Sequence, residues 1–153
     1  MQLSSTAFTA GGGIPRRHTC EGDDSAPPLS WRDVPPGAKS LALIVDDPDA
    51  PDPAAPKRVF VHWVLHDIPP TTNELPEGAV PAGAQEGQND KGGSGYAPPC
   101  PPIGRHQYVH KLYALDTVIG PIHPPTKTKL EAAMQGHILD AARLVGTYQK
   151  EKT

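Results

Sequence analysis

Asp47, Asp49, His62 and His106 are the side chains through which this sequence could do chemistry. The two aspartates belong to Asp46-Asp47-Pro48-Asp49-Ala50-Pro51, His62 sits within an apolar run, and His106 follows a proline-rich stretch. A carboxylate beside imidazoles favours their charged form, and a charged imidazole donates hydrogen bonds to a phosphate-like oxygen. The same residue types also admit a metal site, because two histidines and a carboxylate form a recognised ligand set. No His-x-Glu or Cys-x-x-Cys spacing fixes two ligands on one element, however. Hydrolysis is the third option, but no serine stands in a Gly-x-Ser-x-Gly elbow, and no phosphate-cradling glycine loop is present. Blander readings stand beside these. Asp47 and Asp49 suit a proline-bounded turn whose carboxylates bond backbone amides. His62 suits a satisfied core histidine, as do His66, His110, His123 and His137. The four candidates lie on three distant segments, and spacing alone does not establish that they meet.

The elements that would position them are short. Ser40–Val45 is apolar and β-rich and predicts a strand buried on both faces, stopped by Pro48 and Pro51. Val59–His66 predicts the next strand, with Val59, Val61, Trp63 and Leu65 on one side and Phe60, His62, Val64 and His66 on the other. Pro98, Pro99, Pro101 and Pro102 stiffen a loop that delivers His106 to an alternating strand over 107–114. Ser4–Ala10 predicts an opening strand, Trp31 and Tyr148 core positions, and Leu144–Gln149 a closing strand. A short strand is expected near Ala79–Ala82, within a long irregular stretch from Thr71 to Ser94. Thr128 and Glu131 have the form of a capping box, so a helix is expected from there through Ala141. Its inner face would carry Leu130, Met134, His137, Ile138 and Ala141, with Gly136 a weak spot. Several strands, frequent turns and one helix predict an all-β antiparallel sandwich with a peripheral C-terminal helix.

Gly95-Tyr96, Pro99-Cys100-Pro101-Pro102, Gly104 and His106-Gln107-Tyr108, running into Leu112-Tyr113-Ala114-Leu115-Asp116, resemble the phosphatidylethanolamine-binding protein family. The closer likeness is to its bacterial and archaeal, Raf kinase inhibitor-like branch. The resemblance extends to Leu41–Pro51, Val61–Pro69 and Gly136–Gln149, and so covers most of the chain. It implies two antiparallel sheets with a ligand pocket at one end of the larger. In that pocket Asp47, His62 and His106 would hold an anion, walled by Phe60, Tyr96, Cys100, Pro102 and Tyr108, with Asp49 beside them. It implies a non-enzymatic binding protein for a small anion such as phosphate, sulfate, a carboxylate or a phospholipid head group. Regulation or inhibition of a kinase or protease is the associated role. The alternative is a small hydrolase using the Asp/His cluster, with or without a metal. Gln107 stands where an arginine commonly follows the histidine, and Ala97 and Pro98 replace glycines.

Composition sets the remaining bounds. A chain of 153 residues predicts one domain. The net charge of -3 gives no electrostatic footprint for nucleic acid. Twenty prolines and fifteen glycines punctuate apolar runs without a period. The N-terminus has no signal-like run and Leu41–Val45 is too short to span a bilayer, so a cytoplasmic protein without membrane insertion or cofactor is expected. Cys20 and Cys100 are too few and too far apart for a disulfide framework or zinc site. Pairing stays open, with free thiols expected in a reducing cytosol. Eukaryotic relatives continue into a further helix beyond the point where this chain ends. Its pocket end is therefore expected to be covered by a homodimeric partner.

Overall fold

The computed structural model describes residues 1–151. In chain order the elements are β1 (Gln2–Ser4), a 3-10 turn at Arg16–His18, β2 (Leu29–Arg32), β3 (Ser40–Ala50), β4 (Arg58–Ile68), β5 (Glu74–Leu75), β6 (Gln85–Glu86), β7 (His106–Leu115), α1 (Lys127–Met134) and β8 (Ile138–Tyr148). They form a small sheet, β1-β2-β5, and a larger one, β6-β4-β3-β7-β8, with every neighbouring pair antiparallel.

β3 is the centre of the larger sheet, and its apolar sequence is buried on both faces. Leu41, Leu43 and Val45 face the small sheet and pack in one core with Trp31, Leu75 and Tyr148. Ala42 and Ile44 face outward, into a second cluster capped by Leu130 and Met134 of α1. Asp46, next on that outer face, is buried. Its Oδ2 accepts from Lys111 Nζ at 2.9 Å and Lys127 Nζ at 2.8 Å, so the carboxylate is compensated twice and ties α1 to the sheet. Trp31 is anchored by its indole N–H, which donates to Thr72 O at 2.9 Å.

Several expected boundaries are different. β3 does not stop at Pro48 but continues to Ala50. The register slips between Asp47 and Ala50, so Pro48 sits in a bulge where its missing N–H breaks no ladder. β1 is Gln2–Ser4, whereas the expectation was Ser4–Ala10, and the two short strands lie at Glu74–Leu75 and Gln85–Glu86 with none at 79–82. The helix is capped by Thr126, two residues before the expected Thr128, with its side chain accepting from Lys129 N at 3.2 Å. It ends at Met134 because Gly136, at φ +83°, supplies the left-handed residue that closes a helix. Gly136 is therefore the stop signal and no weak spot within the helix. Ile138–Ala141 belong to β8, whose pairing with β7 (Leu115 with Ile138, Tyr113 with Ala141) satisfies an edge that a longer helix would leave open. Among the described residues, no helix is long and apolar enough to cross a membrane.

Candidate functional site

A β-bulge decides which side chains reach the inner face of β4. Val45 pairs with Trp63 and Asp46 with Val61, so His62 is the extra residue between them. Beyond the bulge Asp47 pairs with Phe60. Strict alternation would set His62 and Phe60 opposite Trp63. The bulge instead leaves Trp63 in the inter-sheet core and Val61 against the outer cluster, and aims His62 inward with Phe60. Bulges re-aim side chains in this way beside functional sites.

The result is a pocket of about 380 Å³ at one end of β3, β4 and β7. Its lining includes Asp47, Phe60, His62, His106 and Tyr108 from the strands, and Ala97, Pro98, Cys100, Pro101 and Pro102 from the proline-rich loop. Ala50, Pro51, Arg58 and Lys91 complete it. The sequence reading did not name these last four as site residues, nor Ala97, Pro98 and Pro101. Arg58 was legible, because it lies two and four residues before Phe60 and His62 on one strand. Lys91 lies in the irregular stretch and carries no periodic signal.

His62 and His106 are held in different ways. His106 Nδ1 lies 2.5 Å from Asp47 Oδ2, while Nε2 lies 2.9 Å from Ile103 O and 3.1 Å from Pro51 O. Both ring nitrogens are therefore taken up by oxygens of the protein. The ring has no N–H left for a ligand. Asp47 is likewise occupied, because its Oδ1 accepts from Asp49 N at 2.7 Å. His62 uses one nitrogen only: Nδ1 donates to Ala97 O at 2.8 Å, which leaves Nε2 as the free ring nitrogen of a pocket-lining residue. Burial lowers the His62 pKa from its ordinary value, against smaller opposing effects of the Ala97 carbonyl and Asp47. Its ring packs edge-on to Tyr108 at 5.1 Å and tilts over Phe60 at 4.8 Å. Burial also raises the Tyr108 pKa, keeping that phenol neutral.

Two exposed cations border this cavity. Arg58 lies over the Phe60 ring at 5.2 Å and pairs with Asp90 at 3.0 Å. Lys91 also lines the pocket, and its ammonium pairs with no carboxylate among the described residues. Two expected residues stand apart from the lining. Tyr96 packs edge-on to Trp63 and donates its hydroxyl to His18 O at 2.7 Å. Asp49 turns to β7 and accepts from Gln107 N at 2.8 Å, beyond the last β3–β7 pair, Asp46 with Val109. Cys100 lines the pocket, but as a disulfide with Cys20, which corrects the expectation of free thiols. The sequence separation of 80 hid that pairing, because only the fold brings the two segments together.

Of the other histidines, His110 is buried, with Nδ1 at 3.1 Å from Tyr108 O and 3.2 Å from Leu144 O. His66 is fully buried, and neither ring nitrogen has a hydrogen-bond partner, so it is a core histidine but not a satisfied one. His123 and His137 are exposed, the latter bonded to Asp116 at 2.8 Å, so neither is a core residue. Among the described residues, no three His, Cys, Asp or Glu side chains converge on a metal position.

The family model for phosphatidylethanolamine-binding proteins matches residues 4–149. The chain belongs to the phosphatidylethanolamine-binding protein family. It is 47% identical to a UPF0098 protein of Methanothermobacter thermautotrophicus, covering 98% of this chain and 99% of that one. It is 45% identical to a UPF0098 protein of Chlamydia trachomatis, covering 99% and 100%. Among solved structures it resembles a phosphatidylethanolamine-binding protein homolog from Chlamydia trachomatis, with TM-score 0.91, 45% identity and coverage of 98% and 97%. It also resembles YbcL of Escherichia coli, described as a new member of the mammalian family. There the TM-score is 0.87, the identity 31% and the coverage 98% of each chain. The family's all-β, two-sheet architecture is thus the architecture of this chain.

Proposed function

We propose that this chain is a non-enzymatic binding protein whose pocket takes a small molecule with an anionic group on an apolar body. The anionic group is phosphate-like, a carboxylate or a phospholipid head group. The observation that carries the reading is the pairing of proline and aromatic walls with Lys91, a cation at the mouth that pairs with no carboxylate among the described residues. Apolar walls with a few convergent polar groups are what small-ligand sites offer. Arg58 adds a second positive charge, and the free Nε2 of His62 adds a directional contact. His106 and Asp47 line the pocket with their polar atoms already engaged, and His106 fixes the pocket loop through the Ile103 and Pro51 carbonyls. A hydrolase that works His62 and His106 together loses support, because His106 already gives both nitrogens to the protein.

The reading includes a cytoplasmic setting and a two-fold homodimer covering Val59 and Ile103, which are 45% and 54% exposed beside pocket residues. Regulation of a kinase or protease through a protein partner is its outer reach and rests on family analogy. The test is calorimetric titration with phenyl phosphate at pH 7, against phenol as the uncharged control. Phenyl phosphate should bind and phenol should not. Lys91→Ala should weaken binding about tenfold, the loss of one charge-assisted contact. Equal affinity for the two compounds, or no effect of Lys91→Ala, would remove the anion from the proposal.

A further inference from the structure

The disulfide joins two segments of unlike construction. On one side, residues 16–23 hold themselves together. Thr19 N and Thr19 Oγ1 both donate to Arg16 O, Gly22 N donates to Thr19 O at 3.0 Å, and Asp23 N donates to Arg17 O at 2.9 Å. The turn is so tight that a Cβ at Gly22 would lie 2.3 Å from Arg16 O. On the other side, Pro98, Pro99, Pro101 and Pro102 surround Cys100 and contribute no N–H groups. The wall loop is therefore held at its two ends, where Ala97 O accepts from His62 Nδ1 at 2.8 Å and Ile103 O lies 2.9 Å from His106 Nε2, and is tied at few points between them. Ala97 N donates to His62 O at 2.8 Å, Cys20 N donates to Pro99 O at 3.1 Å, and the Cys20–Cys100 bond is the covalent tie between the two segments. Cys100 is exposed and lines the pocket, whereas Cys20 is half-buried.

We infer that the Cys20–Cys100 bond is a thiol-exchange site on the pocket wall, entered at Cys100 Sγ by a dithiol reductant, and that opening it loosens the wall loop. The reductant's thiolate attacks Cys100 Sγ in line with the S–S bond, and Cys20 leaves as a thiolate that takes up a proton. The reductant's second thiol then attacks the mixed disulfide and releases Cys100 as the second thiol. Two electrons and two protons enter the protein, and the reductant departs as its own disulfide. Exposed disulfides are the labile and regulatory ones, and in a reducing cytosol such bonds are transient and exchange-active. After reduction the 16–23 turn keeps its own hydrogen bonds, so the freed motion falls on residues 97–103, which form one wall of the ligand cavity. Bound ligand would cover Cys100 and slow the exchange. Reduction would in turn weaken ligand binding by the same coupling. This ligand coupling rests on the pocket reading above; the exchange site does not.

The experiment uses the oxidised full chain in native buffer. Glutathione is added for a short interval, the released cysteine is trapped at once with iodoacetamide so that the mixed disulfide neither recloses nor reacts further, and the glutathione-bearing cysteine is located by peptide mass spectrometry. The adduct should sit on Cys100 at least about fivefold more often than on Cys20. Full reduction with dithiothreitol should raise hydrogen exchange at the Ala97 amide by about tenfold and leave the Gly22 and Asp23 amides unchanged. The Cys20→Ser/Cys100→Ser variant should reproduce the reduced exchange pattern, and if it fails to fold, the dithiothreitol-treated native chain gives the same readout. Glutathione found mainly on Cys20, reduction only under denaturing conditions, or an unchanged Ala97 amide would each overturn the inference. In a third arm, saturating phenyl phosphate should slow the glutathione reaction. Binding without slowing would overturn the ligand coupling. No binding to either form would overturn the pocket reading, while the glutathione and amide results still decide the exchange site.

Discussion

Both nitrogens of His106 end on oxygen acceptors, so truncation there should act on stability before it acts on affinity. His106→Ala leaves Asp47, a carboxylate only 3% exposed, with one donor fewer. It should cost about 3 kcal/mol in urea unfolding, and a cost near zero would contradict the pairing. His62 is the ring with a nitrogen to spare, and burial lowers its pKa. Benzenesulfonate keeps one charge across the useful pH range, so its affinity isolates the histidine. It should hold steady from pH 8 to about 6.5, then rise as His62 gains a proton. His62→Ala should flatten that rise, and a flat profile in the native chain would contradict the assignment. His110 reports on folding in the opposite direction. Burial lowers its pKa to about 4, with a small further push from His62, against the smaller opposing effects of the Tyr108 and Leu144 carbonyls and Asp46. Its unfolded form, with a pKa of about 6.5, binds the proton more readily. The stability His110 contributes is therefore complete above pH 6.5 and falls by roughly 3 kcal/mol as pH drops towards 4. Urea unfolding at pH 7 and pH 4.5 checks this, and greater stability at the lower pH would contradict it.

Bulges, more than strands, place the site at the scale of elements. One slip re-aims His62, one carries β3 through Pro48, and a third lies between the Leu41–Ile68 and Leu43–Leu65 pairs. At the third, Asp67 takes φ +57° and its carboxylate accepts from Ile119 N and Gly120 N, both at 2.8 Å, and from Gln85 Nε2 at 3.0 Å. Asp67→Ala removes three acceptor contacts and leaves a methyl side chain in a left-handed conformation. A loss of about 2–4 kcal/mol is expected from chemical unfolding, and a change under 0.5 kcal/mol would contradict that role. The strand segments 40–45, 59–66 and 107–114 were legible because apolar alternation and continuous apolar runs reflect burial directly, whereas the run of β3 on to Ala50 was not. The bulges were not, because a slip is a relation between two strands and leaves no mark in either sequence alone. The end of α1 was legible in principle. Gly136 supplied the stop, but Leu130, Met134, Ile138 and Ala141 kept a helical spacing across it. Ile138–Ala141 then joined β8, where β7 offered an open edge.

For the whole molecule, the disulfide bears on stability, and the exposed Val59 and Ile103 are the basis of the proposed dimer. A cross-link spanning 80 residues limits the unfolded chain, so reducing it should lower unfolding stability by about 2–5 kcal/mol while the sheets persist. Equal stability of oxidised and reduced protein would contradict this. Light scattering at micromolar concentration should give twice the 16.2 kDa chain mass, and a monomer would remove the dimer from the proposal. The central claim is that an anion on an apolar body enters the cavity between the proline loop and β4. A crystal of the oxidised protein soaked in phenyl phosphate tests it most directly. The account predicts the phenyl ring against Phe60 and Pro102, with phosphate oxygens within hydrogen-bond reach of His62 Nε2 and Lys91 Nζ and none touching His106. A phosphate bound elsewhere, or an empty pocket at saturating concentration, would contradict it.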